Sequence, residues 1–248
     1  MNQPIINHQH NTQRPTPRSP LSALRSPLSA LRSPLFALRS LLPLGLFLTG
    51  LGGAFAPWIW RDSVALQLTA PGLAEFVKFL PEIRTGTLRI ERLYFLLPLF
   101  LAMLALPLFA ENKKLALPLW LRWSLRLSVI PFALASLSPV WTPAVLIAPE
   151  FRLQTGLASV AIGLAIIAPL LNHASLKILC LFLLIGGIAA LILPIWQFSL
   201  VQASISTAYD EPVSLGWGWW LTQAGLILSI VGASWSLFFQ NRDQNGNR

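Results

Sequence analysis

Six apolar runs punctuate the chain, at 41–60, 93–110, 123–140, 154–171, 176–196 and 217–239. Arg126 and Lys177 are the charged residues inside them. Each run is close to the ~20 residues that an α-helix needs to cross a ~30 Å hydrocarbon core. The pattern predicts an all-α, polytopic membrane helix bundle of about six transmembrane helices. A soluble fold would have to bury six apolar helices with only 11% charged residues, against roughly 25% in soluble domains.

The segments between the runs carry their own signals. In 61–92, Val64, Leu66 and Leu68 alternate with polar or small residues, the period of an extended segment. Thr69 is placed to cap a helix, and Leu73, Phe76, Val77 and Leu80 then share one helical face. Glu75 and Lys78 lie off that face, and Pro81 is expected to end the helix. The result is an extracytoplasmic amphipathic helix between spans 1 and 2. The segment 138–149 holds Pro139, Pro143 and Pro149 and reads as an irregular outer loop, and 197–216 reads as the last outer loop.

The third run is the least regular. Arg126 would lie near the bilayer centre if its helix began at Leu115, at a cost of at least ~2.5 kcal/mol. The helix is therefore expected to enter near Trp123, with Glu111 in the preceding turn and no acid in any span to pair with Arg126. Arg126 would then snorkel to the interface. Arg122 and Arg126, at i and i+4, form one basic face and are candidate contacts for an anion or a lipid phosphate. Trp58, Trp60, Trp196, Trp217, Trp219 and Trp220 cluster at run ends, where an interfacial aromatic belt is expected. The pairs Gly52-Gly53 and Gly186-Gly187 allow helices to approach closely.

Residues 1–40 form a basic, Pro-rich arm in which RSPLSAL occurs twice, followed by RSPLFAL. A proline in every repeat opposes a coiled coil, so a flexible arm is expected. The membrane domain then covers 41–240, and 241–248 is a tail. Residues 39–56 have some signal-peptide features, ending in Ala54-Phe55-Ala56. Pro57 directly afterwards and the continuing apolar run favour an uncleaved first span.

Charge sets the orientation. With the N-terminus inside, ten of the 18 Lys and Arg residues fall on inner segments and six on outer ones; Arg122 and Arg126 are the other two. Seven of the nine acids fall outside. The positive-inside rule then predicts a multi-pass cell-membrane protein with cytoplasmic N- and C-termini. The net charge of +9 finds its simplest partner in the anionic inner leaflet, so the lipid bilayer is the expected partner and nucleic acid is not.

Candidate chemistry is sparse. Cys180 is the one cysteine, which rules out an intrachain disulfide. His8 and His10 lie in the arm and His173 in a turn, so a two-His haem site within the bundle is excluded. No GxxxxGK[ST] loop or HExxH helix is present. No catalytic, cofactor or metal residues are assigned. Acids assigned to outer segments, such as Glu75, Glu150 and Asp210, show no paired spacing that would favour a lipid-modifying enzyme. The expectation is a non-enzymatic accessory or assembly subunit, packed against other membrane protein subunits. In length, span number and cytoplasmic termini the chain also resembles, in outline, permease subunits of ABC-2 type transporters, which implies an alternative role in transport with a separate ATPase. The long first outer loop departs from that pattern.

Overall fold

The computed structural model describes residues 40–60 and 67–245. The repeat arm and the predicted strand positions Val64 and Leu66 lie outside the described residues. The described chain is mostly helical. Its longer helices are α1 (Ser40–Ala54), α4 (Leu97–Glu111), α5 (Leu119–Ala135), α7 (Arg152–Ile167), α8 (Leu176–Tyr209) and α9 (Trp217–Asn245). Short helices α2 (Ala70–Phe76), α3 (Pro81–Arg84) and α6 (Pro143–Leu146) join them. Two strands of two residues each, β1 (Ile59–Trp60) and β2 (Ser214–Leu215), pair antiparallel, with Ile59 opposite Leu215. Leu68, the last position of the alternation read in that segment, bridges to Ile59 as well.

Four helices are long and apolar enough to cross a membrane: those spanning Arg92–Glu111, Arg152–Leu171, Leu176–Tyr209 and Trp217–Phe238. The first and third expected spans correspond to the shorter α1 and α5. Pro57 follows closely on α1, and Pro118, with its fixed φ, opens α5.

The helix α4 is apolar on every side, as a helix must be to sit inside a bundle. In its span 72% of the residues are buried, against 28% for α7 and 33% for α8. Around it pack α5, α7 and α8, and α1 reaches it where Gly53 faces Leu99. Gly186 of α8 lets Leu101 of α4 approach, and Phe132 of α5 lies over Gly50 of α1.

α9 is held by α1 through a seam of small residues. Gly45, Thr49, Gly52 and Ala56 face Gly218, Thr222, Gly225 and Ser229 in antiparallel order. A Cβ added to Gly225 would fall 2.6 Å from the Gly45 carbonyl oxygen and from the Thr49 nitrogen. The backbones are therefore in direct contact, the arrangement that small residues permit between apolar helices. The hydroxyls within the seam are satisfied locally: Thr49 donates to the Gly45 carbonyl and Thr222 to that of Gly218. Ser229 donates to Gly225 and, across the seam, to Leu42.

One sequence expectation changes. Residues 197–209 are not a loop: α8 runs for 34 residues, ~50 Å at 1.5 Å per residue. Phe198, Val201 and Ile205 recur at helical spacing and are buried, while the intervening Ser, Thr and Gln lower the hydropathy of the stretch. The helix of α2 ends ahead of Pro81 as expected, at the extended Leu80, and Pro81 then opens the separate turn α3, at a position where its missing N–H costs nothing. α5 starts at Leu119, about one turn ahead of the entry expected near Trp123.

The amphipathic helix forms largely as its pattern predicts. Thr69 caps α2, its hydroxyl accepting the Gly72 N–H at 3.3 Å. Leu73, Val77 and Leu80 are buried, with Val77 in a 3-10 turn that continues α2. Phe76 stacks on Tyr209 at the end of α8, with ring centroids 5.4 Å apart.

Candidate functional site

Charged side chains collect at both ends of the bundle. At the end that carries Trp58, Arg92 sits in the 3-10 turn Arg92–Leu96 that leads into α4. Its Nη1 donates to Glu75 Oε1 of α2 at 2.6 Å and to Gln154 Oε1 of α7 at 3.4 Å. Its Nη2 donates to the Glu150 carbonyl. Lys78 Nζ lies 2.5 Å from both Glu75 Oε2 and Glu150 Oε1. Both cations stand 4.8 Å from the centre of the Phe151 ring. Gln154 in turn donates to the Ser136 carbonyl at the end of α5.

Two acids and two bases thus form a neutral network joining α2, α4, α5 and α7. The Lys78 hydrogen bond holds the Glu150 carboxyl below its ordinary range. Partial burial opposes this, and the charges of Lys78 and Arg92 reinforce it. Beside the network a cavity of about 350 Å³ is lined by Glu75, Gly72, Ser138 and Trp141.

At the opposite end, Glu111 closes α4. Its side chain is 9% exposed, at the negative end of the helix dipole, where a carboxylate is disfavoured. Two cations offset this. Arg126 Nη1 donates to Glu111 Oε1 at 3.0 Å, and Arg122 Nη1 to Oε2 at 3.5 Å. The Arg126 guanidinium also lies 4.4 Å from the Trp123 ring centre. Arg126 therefore does not reach outward without an acid. It has a carboxylate partner, which sequence reasoning placed in the turn and so overlooked. The available signal was the i, i+4 spacing of the two arginines on α5, opposite the single acid at the end of the helix before it.

Beyond Glu111, Asn112 organises the turn. Its side chain accepts from the Lys114 N–H at 3.1 Å and donates to the Ala174 carbonyl at 3.1 Å. Lys113 Nζ lies 3.1 Å from His173 Nε2.

The six tryptophans expected as a belt divide into two groups. Trp60, Trp196, Trp217 and Trp220 are exposed. Trp58 and Trp219 are not: they are 0% and 4% exposed and meet edge to face, with ring centroids 4.8 Å apart. The Trp58 indole donates to the Gly52 carbonyl at 3.3 Å, and Phe198 packs on Trp219. The close approach of α1 and α9 places these two rings in the core, which corrects their assignment to a belt.

Two further features lie between the ends. An apolar groove of about 430 Å³ runs between α4, α7 and α8, lined by Leu97, Leu101, Leu157 and Phe182. Gln223 of α9 is buried, and neither atom of its amide is hydrogen-bonded within the described residues. Among the described residues, no group of three or more His, Cys, Asp and Glu is placed to hold a metal ion. Comparison with protein-family models, with curated proteins and with solved structures gives no match to this chain.

Proposed function

We propose that the chain is a multi-pass protein of the cell membrane, with both termini cytoplasmic, that serves as an accessory or assembly subunit of a membrane complex. One observation carries this reading: the outer helix α8 offers large apolar side chains, while seven charged groups at the two ends of the bundle are paired with one another. Along α8, Ile178, Phe182, Ile185, Ile188, Ile192 and Ile195 are exposed. Arg92, Glu75, Lys78 and Glu150 pair at one end, and Glu111, Arg122 and Arg126 at the other. Such a bundle is suited to packing against lipid and other transmembrane helices rather than to carrying charge across the bilayer. The orientation rests on the ten-to-six division of Lys and Arg.

Purification in a mild detergent, with identification of co-purifying proteins, tests the assignment. A stoichiometric integral membrane partner, lost on Ile185→Asn or Ile188→Asn, is the expected result. Recovery of an ATPase in its place favours the permease reading, and a monodisperse monomer without a partner overturns the assembly role.

A further inference from the structure

We propose that the Glu111 end of the bundle is a binding site for the headgroup of an anionic phospholipid, read by Arg122 and Arg126. The argument begins with charge. One carboxylate, Glu111, stands between two guanidinium groups, so the cluster keeps one positive charge in excess. Both arginines bond to Glu111 through Nη1, and within the described residues their Nε atoms are buried without a hydrogen-bond partner. Most of the donor capacity of two planar forks is thus left over. Arg122 is the more open of the two, with its side chain 33% exposed against 12% for Arg126.

The surroundings favour an anion. Arg122 lies in the first turn of α5, whose N-cap is Pro118 and whose first N–H groups have no side-chain cap. The positive end of that 17-residue helix therefore points to the same end of the bundle as the two guanidiniums. A phosphodiester would supply the missing charge and accept from the fork geometry of arginine.

The apolar neighbours select a lipid over free phosphate. Leu119, Trp120, Trp123 and Leu127 are exposed on α5 around the arginines, Trp120 by 69%. An aromatic and aliphatic surface beside a basic cluster matches the boundary between headgroup and acyl chain. A free anion would gain nothing from it.

The test uses the full chain in detergent and in nanodiscs. Native mass spectrometry of the wild type should show phosphatidylglycerol retained over phosphatidylcholine, with a large excess of inorganic phosphate unable to displace it. Arg122→Gln should weaken phosphatidylglycerol retention about fivefold, the effect of roughly one basic contact at an anionic surface. Lys114→Gln, on the exposed turn, should change it by less than about twofold. Glu111→Gln, which removes the competing carboxylate, should strengthen it. Equal retention of the two lipids by the wild type overturns the site without recourse to any variant. Equal losses from Arg122→Gln and Lys114→Gln overturn it in favour of diffuse surface charge. Displacement by inorganic phosphate overturns the assignment to lipid.

Discussion

Arg126 is the residue where charge, burial and packing meet. Its partner Glu111 is slightly more buried, so removing Arg126 leaves that carboxylate with only the longer 3.5 Å contact to Arg122. Arg126→Leu is expected to destabilise the protein by about 3–5 kcal/mol, whereas Arg126→Leu combined with Glu111→Leu should recover most of the loss. Unfolding of the purified protein in detergent, compared across the double-mutant cycle, measures the coupling; additive losses would show that the two side chains do not interact. Gln223 presents the opposite case, a buried amide with no partner among the described residues. Replacing it by leucine should raise stability by about 1–3 kcal/mol, because an unsatisfied polar group is removed from the interior. A fall in melting temperature would mean that the amide is satisfied in the membrane. The role of Gln223 is not visible in the sequence, and that of Glu111 shows only through the i, i+4 spacing of Arg122 and Arg126. A glutamate before a polar turn looks solvated, and a glutamine in an apolar run carries no mark of its neighbours.

At the scale of elements, α2 was legible and its anchoring was not. Thr69, Pro81 and the spacing of Leu73, Val77 and Leu80 are local signals, readable within a dozen residues. The network that fastens the helix joins Glu75 and Lys78 to Arg92 and Glu150, partners up to 72 positions away. A membrane-impermeant maleimide should label Phe79→Cys rapidly and Leu73→Cys or Val77→Cys slowly, since Phe79 is 70% exposed and the other two are buried. Equal rates at all three positions would refute the docking. The same assay reads the pH response. Glu150 titrates lower in the folded protein, so its contribution is complete above the ordinary carboxylate range and is lost as pH falls through the lowered value. Labelling of Leu73→Cys relative to the exposed Phe79→Cys at the same pH should therefore rise in acid, and Lys78→Gln should blunt that rise. The seam between α1 and α9 is also an element-scale feature. Gly225→Ala pushes a methyl into the α1 backbone and should cost about 1–3 kcal/mol. Gly156→Ala, with nothing near its Cβ, should instead stabilise α7 by up to about 1 kcal/mol. If both variants behave alike, the seam is not closely packed. The pair Gly52-Gly53 hinted at such packing, but it could not show which helix approaches. That choice buried Trp58 and Trp219 while the other four tryptophans stayed outside.

For the whole molecule, the number of crossings is the quantity to measure. Between Gly86 and the C-terminus lie α4, α5, α7, α8 and α9. If all five cross, reporters fused near Gly86 and after Arg248 should report opposite sides. Matching sides would remove α5 from the crossings and place its arginines along one surface. The six runs were legible because hydropathy over some twenty residues is a strong signal. The upper part of α8 was not, because serine, threonine and glutamine interrupt its apolar period without ending its helix. That extra length makes α8 a ruler longer than the object it measures. It exceeds a ~30 Å hydrocarbon core by ~20 Å, and beyond Lys177 it carries no charged residue that would register its depth. The stacked rings of Phe76 and Tyr209 grip its far end instead. With α8 across a bilayer, thicknesses differing by several ångströms would be accommodated by a change of tilt, with no ionic group dragged into hydrocarbon.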